Sequence, residues 1–124
     1  MEQENHTASI IVDCALKVHK NLGPGLLESS YKACLAYELI KAGCVVEVEK
    51  PLPLIYEDVK LEVGYRIDIL VNSSVIIELK AIDELNDVHL AQVLTYLKLS
   101  EKRLGLLINF NVKLIKHGIR RVIL

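Results

Sequence analysis

The chain has 124 residues, 52% of them hydrophobic and 25% charged, with 15 Lys+Arg against 16 Asp+Glu. That length supports a core of its own, and the composition excludes a disordered tail or a collagen-like repeat. Cys14, Cys34 and Cys44 cannot all pair and show no C-x-x-C spacing, which argues against a disulfide framework or a structural zinc site and fits a reducing compartment. The opening Met1-Glu2-Gln3-Glu4-Asn5 is polar and acidic, so no signal peptide is expected. No apolar run approaches the ~18–20 residues of a membrane span. The expectation is one soluble, cytoplasmic domain over residues 1–124 without a membrane partner.

The net charge of −1 is not that of a strongly basic nucleic-acid binder. Its distribution is uneven. Residues 1–100 hold nine basic and fifteen acidic side chains, whereas residues 101–124 hold six basic and only Glu101. This basic end either meets phosphates or forms an edge strand protected by positive charge.

In chain order, residues 7–22 read as an amphipathic helix. Ile10, Ile11, Cys14, Ala15, Val18 and Leu22 recur at helical spacing, and Thr7 is a candidate cap. Gly23-Pro24-Gly25 ends it. Residues 27–42 read as a second helix, with Leu27, Tyr31, Leu35 and Leu39 along one side and Gly43 as its stop. The period then changes. Cys44–Glu49, Leu54–Tyr56, Lys60–Val71 and Val75–Ala81 are strand candidates, with a break at Pro51-Leu52-Pro53 and a turn at Asn72-Ser73-Ser74. Residues 86–100 return to helical spacing, with a stripe of Leu90, Val93, Leu94 and Leu97. Leu104–Phe110 and Ile119–Leu124 close the chain as strands. The order implies an α/β (α+β) fold around one sheet.

If Asn72-Ser73-Ser74 is a three-residue loop, Leu70 faces Ile76, Ile69 faces Ile77, Asp68 faces Glu78 and Arg66 faces Lys80; a two-residue loop would break the Asp68–Glu78 opposition but leave Glu78 and Lys80 on one face. One face is then wholly apolar: Ile67, Ile69, Val71, Val75, Ile77, Leu79 and Ala81. The other passes from Leu70 and Ile76 to Asp68, Glu78, Lys80 and Arg66. Opposed Cβ atoms in such a pair lie about 4.5–5.5 Å apart. Two carboxylates at that distance repel, and a divalent cation resolves the conflict. Lys80 would hold a phosphate oxygen or orient an activated water. The alternative is an exposed cluster of ion pairs at a sheet end, worth little energetically.

Further residues make the pattern more specific. Gly25-Leu26-Leu27-Glu28-Ser29-Ser30-Tyr31, Gly64-Tyr65-Arg66-Ile67-Asp68, Glu78-Leu79-Lys80-Ala81, His89 to Tyr96 and Gly105 to Asn111 together cover nearly the whole chain. With them the chain resembles the family named for its GxxExxY motif, within the PD-(D/E)XK nuclease-like superfamily. The resemblance implies a restriction-endonuclease-like core of α-β-β-β-α-β order, a central mixed sheet flanked by helices. It also implies a Mg²⁺- or Mn²⁺-dependent phosphodiesterase acting on nucleic acid. Asp68, Glu78 and Lys80 match the Asp…(Asp/Glu)-x-Lys signature, with Ile67-Asp68 in place of proline-aspartate. Glu28 matches the helix acid that completes the metal set with Asp68 and Glu78. Gln92 and Tyr96 resemble the Q-x-x-x-Y element, and with Arg66 and Tyr31 they are the expected substrate contacts.

Each residue also has a plainer reading. Glu28 suits the first turn of a helix through the dipole. His89, Gln92 and Tyr96 form a stripe away from the apolar one, which is either a cleft lining or a solvated flank. Tyr31 is as suited to the core as to a site, and the cysteines read as packing residues. The competing functional reading is a catalytically inactive nuclease-fold module that binds nucleic acid or a protein partner. A homodimer with two sites is a further expectation.

Overall fold

A computed structural model describes all of residues 1–124. Three helices, α1 (Glu2–Leu22), α2 (Glu28–Lys41) and α3 (Asp87–Ser100), enclose a five-stranded mixed sheet. Its strands are β1 (Val46–Pro51), β4 (Arg66–Val71), β5 (Val75–Lys80), β6 (Leu104–Asn109) and β7 (Ile119–Ile123), in the spatial order β1-β4-β5-β6-β7. Only β5 and β6 are parallel, and α3 carries the chain between them. A short 3-10 turn, Ile115–His117, precedes β7. This is the expected α+β architecture with the restriction-endonuclease-like core order.

The helices lie on both sides of the sheet. Ile11, Ala15 and Val18 of α1 and Tyr31, Leu35 and Leu39 of α2 pack on Ile69, Val71, Val75, Ile77, Leu79, Leu106 and Ile108. Val93, Tyr96 and Leu97 of α3 pack on Leu70, Ile76, Leu107 and Val122. A strand covered on both faces has no polar side to show, which is why Val75–Ile77 and Leu104–Ile108 read as continuous apolar runs. Gly105 permits the close approach of α3: a Cβ there would stand 2.7 Å from Val93 Cγ1.

Several boundaries differ from expectation. Helix α1 begins at Glu2, not at residue 7, because Glu2 and Glu4 favour a helix N-terminus although they carry no apolar period. Thr7 caps nothing; it is buried and its Oγ1 meets Asn72 Nδ2 at 3.4 Å. Leu27 precedes α2 and is 74% exposed, so it leaves the core stripe. The run Lys60–Val71 divides in two at Gly64, whose φ of 85° suits a residue without a side chain. Its first part, β3 (Val59–Leu61), pairs with β2 (Leu54–Tyr56) as a separate hairpin outside the main sheet. Ile55, Tyr56, Val59 and Leu61 on it are exposed.

The basic C-terminal strand β7 is a sheet edge, with Arg120 and Arg121 exposed, as the edge-strand reading expects. Cys14 and Cys44 are buried, Cys34 is half-buried, and all three thiols are free.

Candidate active site

The site forms where β4 and β5 part. Their ladder has the expected register, Val71↔Val75, Leu70↔Ile76 and Ile69↔Ile77, and pairing ends there. Beyond Ile69 the Asp68 side chain takes over. Its Oδ2 accepts a hydrogen bond from the backbone N–H of Leu79 at 2.8 Å. Strict alternation fails at this point. Ile67 packs with Leu70 and Ile76 on the α3 side, not with Ile69 and Val71 as expected.

Asp68 and Glu78 therefore meet differently from two residues sharing one face. Asp68 Oδ1 lies 3.5 Å from Lys32 Nζ of α2. Glu78 and Lys80 flank Leu79, whose side chain is in the α1/α2 core, so alternation turns them toward α3. The two acids come together across the opening ladder. Arg66 does not face Lys80, because the ladder has ended; it is exposed and its register partner is Pro51 on β1.

Glu78 is 5% exposed, and as a carboxylate its Oε1 has no hydrogen-bond partner. Burial, then the neighbouring Asp68 charge and hydrogen bonding, push its pKa up to about 8, against the pull of Lys80. Lys80 Nζ stands 3.9 Å from Glu78 Oε2 and donates to Gln92 Oε1 at 3.1 Å. Gln92 Nε2 donates in turn to the Tyr96 hydroxyl at 3.1 Å. The stripe expected from Gln92 and Tyr96 is thus joined to the site, but it is no solvated flank. Tyr96 is buried in the α3-side core, displacing Leu90 and Leu94 to half-buried positions. His89 is used locally: its Nδ1 accepts from the Asn86 N–H in a capping box at the start of α3.

Tyr31 is not available to a substrate. Its ring is fully buried and stacks on Phe110 at 4.6 Å. Its hydroxyl donates to Gly23 O at 2.6 Å and accepts from the Leu26 N–H at 3.1 Å. It ties down the turn between α1 and α2, and so fixes where α2 starts. Glu28, in the first turn, is thereby presented near the acids while remaining exposed. Burial and the Asp68 charge raise its pKa, opposed by Lys80 and Lys32.

Residues without an assigned role in the sequence reading complete the surroundings. Lys32 contacts both Asp68 and Glu49, the latter at 3.3 Å. Burial disfavours its charge, but the Asp68 and Glu49 carboxylates outweigh this and hold its pKa above the usual lysine value. The available signal was its spacing, one turn beyond Glu28 on the same helix face. Asn109, 1% exposed at the end of β6, accepts from the Ile82 N–H at 3.1 Å and donates to Ile82 O at 2.9 Å. It thereby fixes the chain just after Lys80.

No three His, Cys, Asp or Glu side chains converge as a metal-holding group, so the expected trio of Asp68, Glu78 and Glu28 is not gathered. Glu28 stays at the surface, and the side chain from α2 that lies beside Asp68 is Lys32, at 3.5 Å. The pair Asp68 and Glu78 still suits a hard divalent cation. Such ions commonly use one or two carboxylates and retain several waters. The unpartnered Glu78 oxygen fits that donor chemistry.

The family profile of the PD-(D/E)XK nuclease superfamily matches residues 5–122. The chain belongs to that superfamily, and its α+β architecture agrees with the assignment. No curated protein and no solved structure gives a significant match. No helix is long and apolar enough to cross a membrane.

Proposed function

We propose that the protein is a divalent-cation-dependent nuclease of the GxxExxY type, hydrolysing phosphodiester bonds of nucleic acid as one domain. The observation that carries this is Glu78: a carboxyl group 5% exposed, with an unpartnered oxygen, beside Asp68 and two residues from Lys80 on the same strand. Burying two acids together is costly unless a cation or a proton compensates. Asp68 and Glu78 are the residues that would hold Mg²⁺ or Mn²⁺, with Glu28 of α2 as the third acid the family motif implies. When bound, such an ion supplies charge neutralisation and Lewis acidity at the scissile phosphate.

The chain's own groups divide the remaining work. Lys80 presents a positive charge toward the phosphate and stabilises the charge that develops there. Gln92 orients the Lys80 ammonium, and Tyr96 orients Gln92. Arg66, exposed beside Asp68 in the chain, is a candidate contact for the backbone of the nucleic acid. The Asp68 bond to the Leu79 N–H keeps one carboxylate oxygen fixed, and the other faces the Lys32 ammonium at 3.5 Å.

The test is cleavage of single- and double-stranded DNA and RNA with Mg²⁺ or Mn²⁺, beside Glu78→Ala and Lys80→Ala. Activity lost in both variants supports the assignment; equal activity in all three proteins refutes it. A second reading is a module that binds nucleic acid or a protein without catalysis. It draws on the failure of three acids to gather and on the lysines already paired with Asp68 and Glu78. Calorimetric titration with Mn²⁺ separates the two, since the module needs no cation. The homodimer expectation is checked by sedimentation; monomer at all working concentrations removes it.

A further inference from the structure

Asp68 Oδ2 accepts a hydrogen bond from the Leu79 N–H at 2.8 Å, so Oδ1 is the oxygen that no backbone donor engages. Oδ1 is where Lys32 sits, with Nζ 3.5 Å away. The same ammonium lies 3.3 Å from Glu49 Oε1. Lys32 is thus suspended between an inner acid, 14% exposed at its side chain, and an outer one, 59% exposed. Glu49 adopts a left-handed backbone conformation, φ 53°, which non-glycine residues rarely adopt. Two cations cannot share Asp68 Oδ1 at contact distance without strong repulsion.

We propose that Lys32 is a built-in counter-cation for Asp68, which competes with the divalent ion and shifts to Glu49 when that ion enters. The inference rests on the cation-binding reading of Asp68 and Glu78. Lys32 is a positioning residue: it holds the Asp68 carboxylate in place without an ion and leaves it to one. Glu49 gives the displaced ammonium a partner, so its release costs less than full exposure. The tether confines the movement to a few single-bond rotations of one side chain on α2.

The experiment is calorimetric titration of the full-length chain with Mn²⁺, using wild type, Lys32→Met, Lys32→Arg, Glu49→Gln and the Lys32→Met/Glu49→Gln pair. Lys32→Met keeps the apolar stem and removes the competing charge, so Mn²⁺ binding tightens by roughly tenfold or more. Lys32→Arg keeps the charge and binds like wild type. Glu49→Gln removes the outer partner and weakens binding severalfold. In the Lys32→Met background that weakening disappears, which is the coupling a double-mutant cycle isolates.

Unchanged or weaker binding by Lys32→Met overturns the proposal, because loss of a mere structural support has that sign. If Lys32→Met does not fold, tighter binding by Glu49→Gln overturns it instead. A Glu78→Gln control separates the two levels. Wild-type binding indistinguishable from that control removes the cation site and the proposal with it. Binding that depends on Glu78 but ignores Lys32 removes the proposal alone.

Discussion

The Asp68 carboxylate accepts a hydrogen bond from the backbone N–H of Leu79, at 2.8 Å, just past the last paired residues of β4 and β5. A side chain here does the work of a strand carbonyl, and the acid is held by the sheet itself. Asp68→Asn keeps an acceptor for that N–H and loses only the charge. Its stability is expected to stay close to wild type while phosphodiester cleavage falls roughly 10²–10³-fold. Asp68→Ala also strands the N–H, and loses about 1–3 kcal/mol in urea denaturation.

Glu78 makes stability depend on pH. Its folded pKa, about 8, lies above the ordinary 4.5 of the unfolded chain. Between those values the native protein keeps a proton that the unfolded chain has released. Rising pH therefore favours unfolding across that window, by up to a few kcal/mol in total. Without divalent cation, the urea midpoint is expected to fall from pH 5 to pH 8. Glu78→Gln should flatten that fall and be the more stable protein at pH 8. A slope unchanged in the variant would assign the effect elsewhere.

Gln92 holds Lys80 at 3.1 Å and is held by Tyr96 at 3.1 Å. Gln92→Leu leaves the Lys80 ammonium without this neutral partner. Cleavage should drop about tenfold, the equivalent of one hydrogen bond of some 1.4 kcal/mol. Mn²⁺ affinity, read by calorimetry, should change little, since neither carboxylate loses a contact. Tyr96→Phe removes only the second link and is expected to have the smaller effect on rate.

Gly105 tests the packing that brings α3 to the site. A Cβ placed 2.7 Å from Val93 Cγ1 must displace the helix or the side chain. Gly105→Ala is expected to destabilise by about 1–3 kcal/mol, and Val93→Ala should recover part of that loss in the double variant. Circular dichroism melts of the four proteins measure it.

Much of this architecture could be read from periodicity. The register of the β4–β5 hairpin followed from its turn and apolar residues, and Asp68 and Glu78 do meet. What alternation could not foresee is that the ladder ends at Ile69, after which Ile67 changes side and Asp68 turns toward Lys32. That departure coincides with one side-chain hydrogen bond, from the Leu79 N–H to Asp68, which leaves no trace in a pattern of polar and apolar positions. Tyr31 and Tyr96, expected as substrate contacts, lie in the core for another reason. A tyrosine is a core residue with a polar tip, and both bury the ring while spending the hydroxyl on a neighbour. In Tyr31 that hydroxyl secures the turn before α2, so this tyrosine acts on Glu28 through the backbone. The two acids were expected to need a cation. The fold sets a lysine near each, and it raises the Glu78 pKa so that protonation there eases the same repulsion.

The register pair Pro51↔Arg66 has a consequence for how the molecule could be rebuilt. The chain leaves the sheet and re-enters it at a single place, and the β2–β3 excursion hangs between. Only its roots are fastened, by buried Leu52 and by Tyr65 resting 6.1 Å from the Tyr96 ring. The rest resembles an exchangeable tool head mounted beside Arg66, since none of residues 53–66 is buried against the handle.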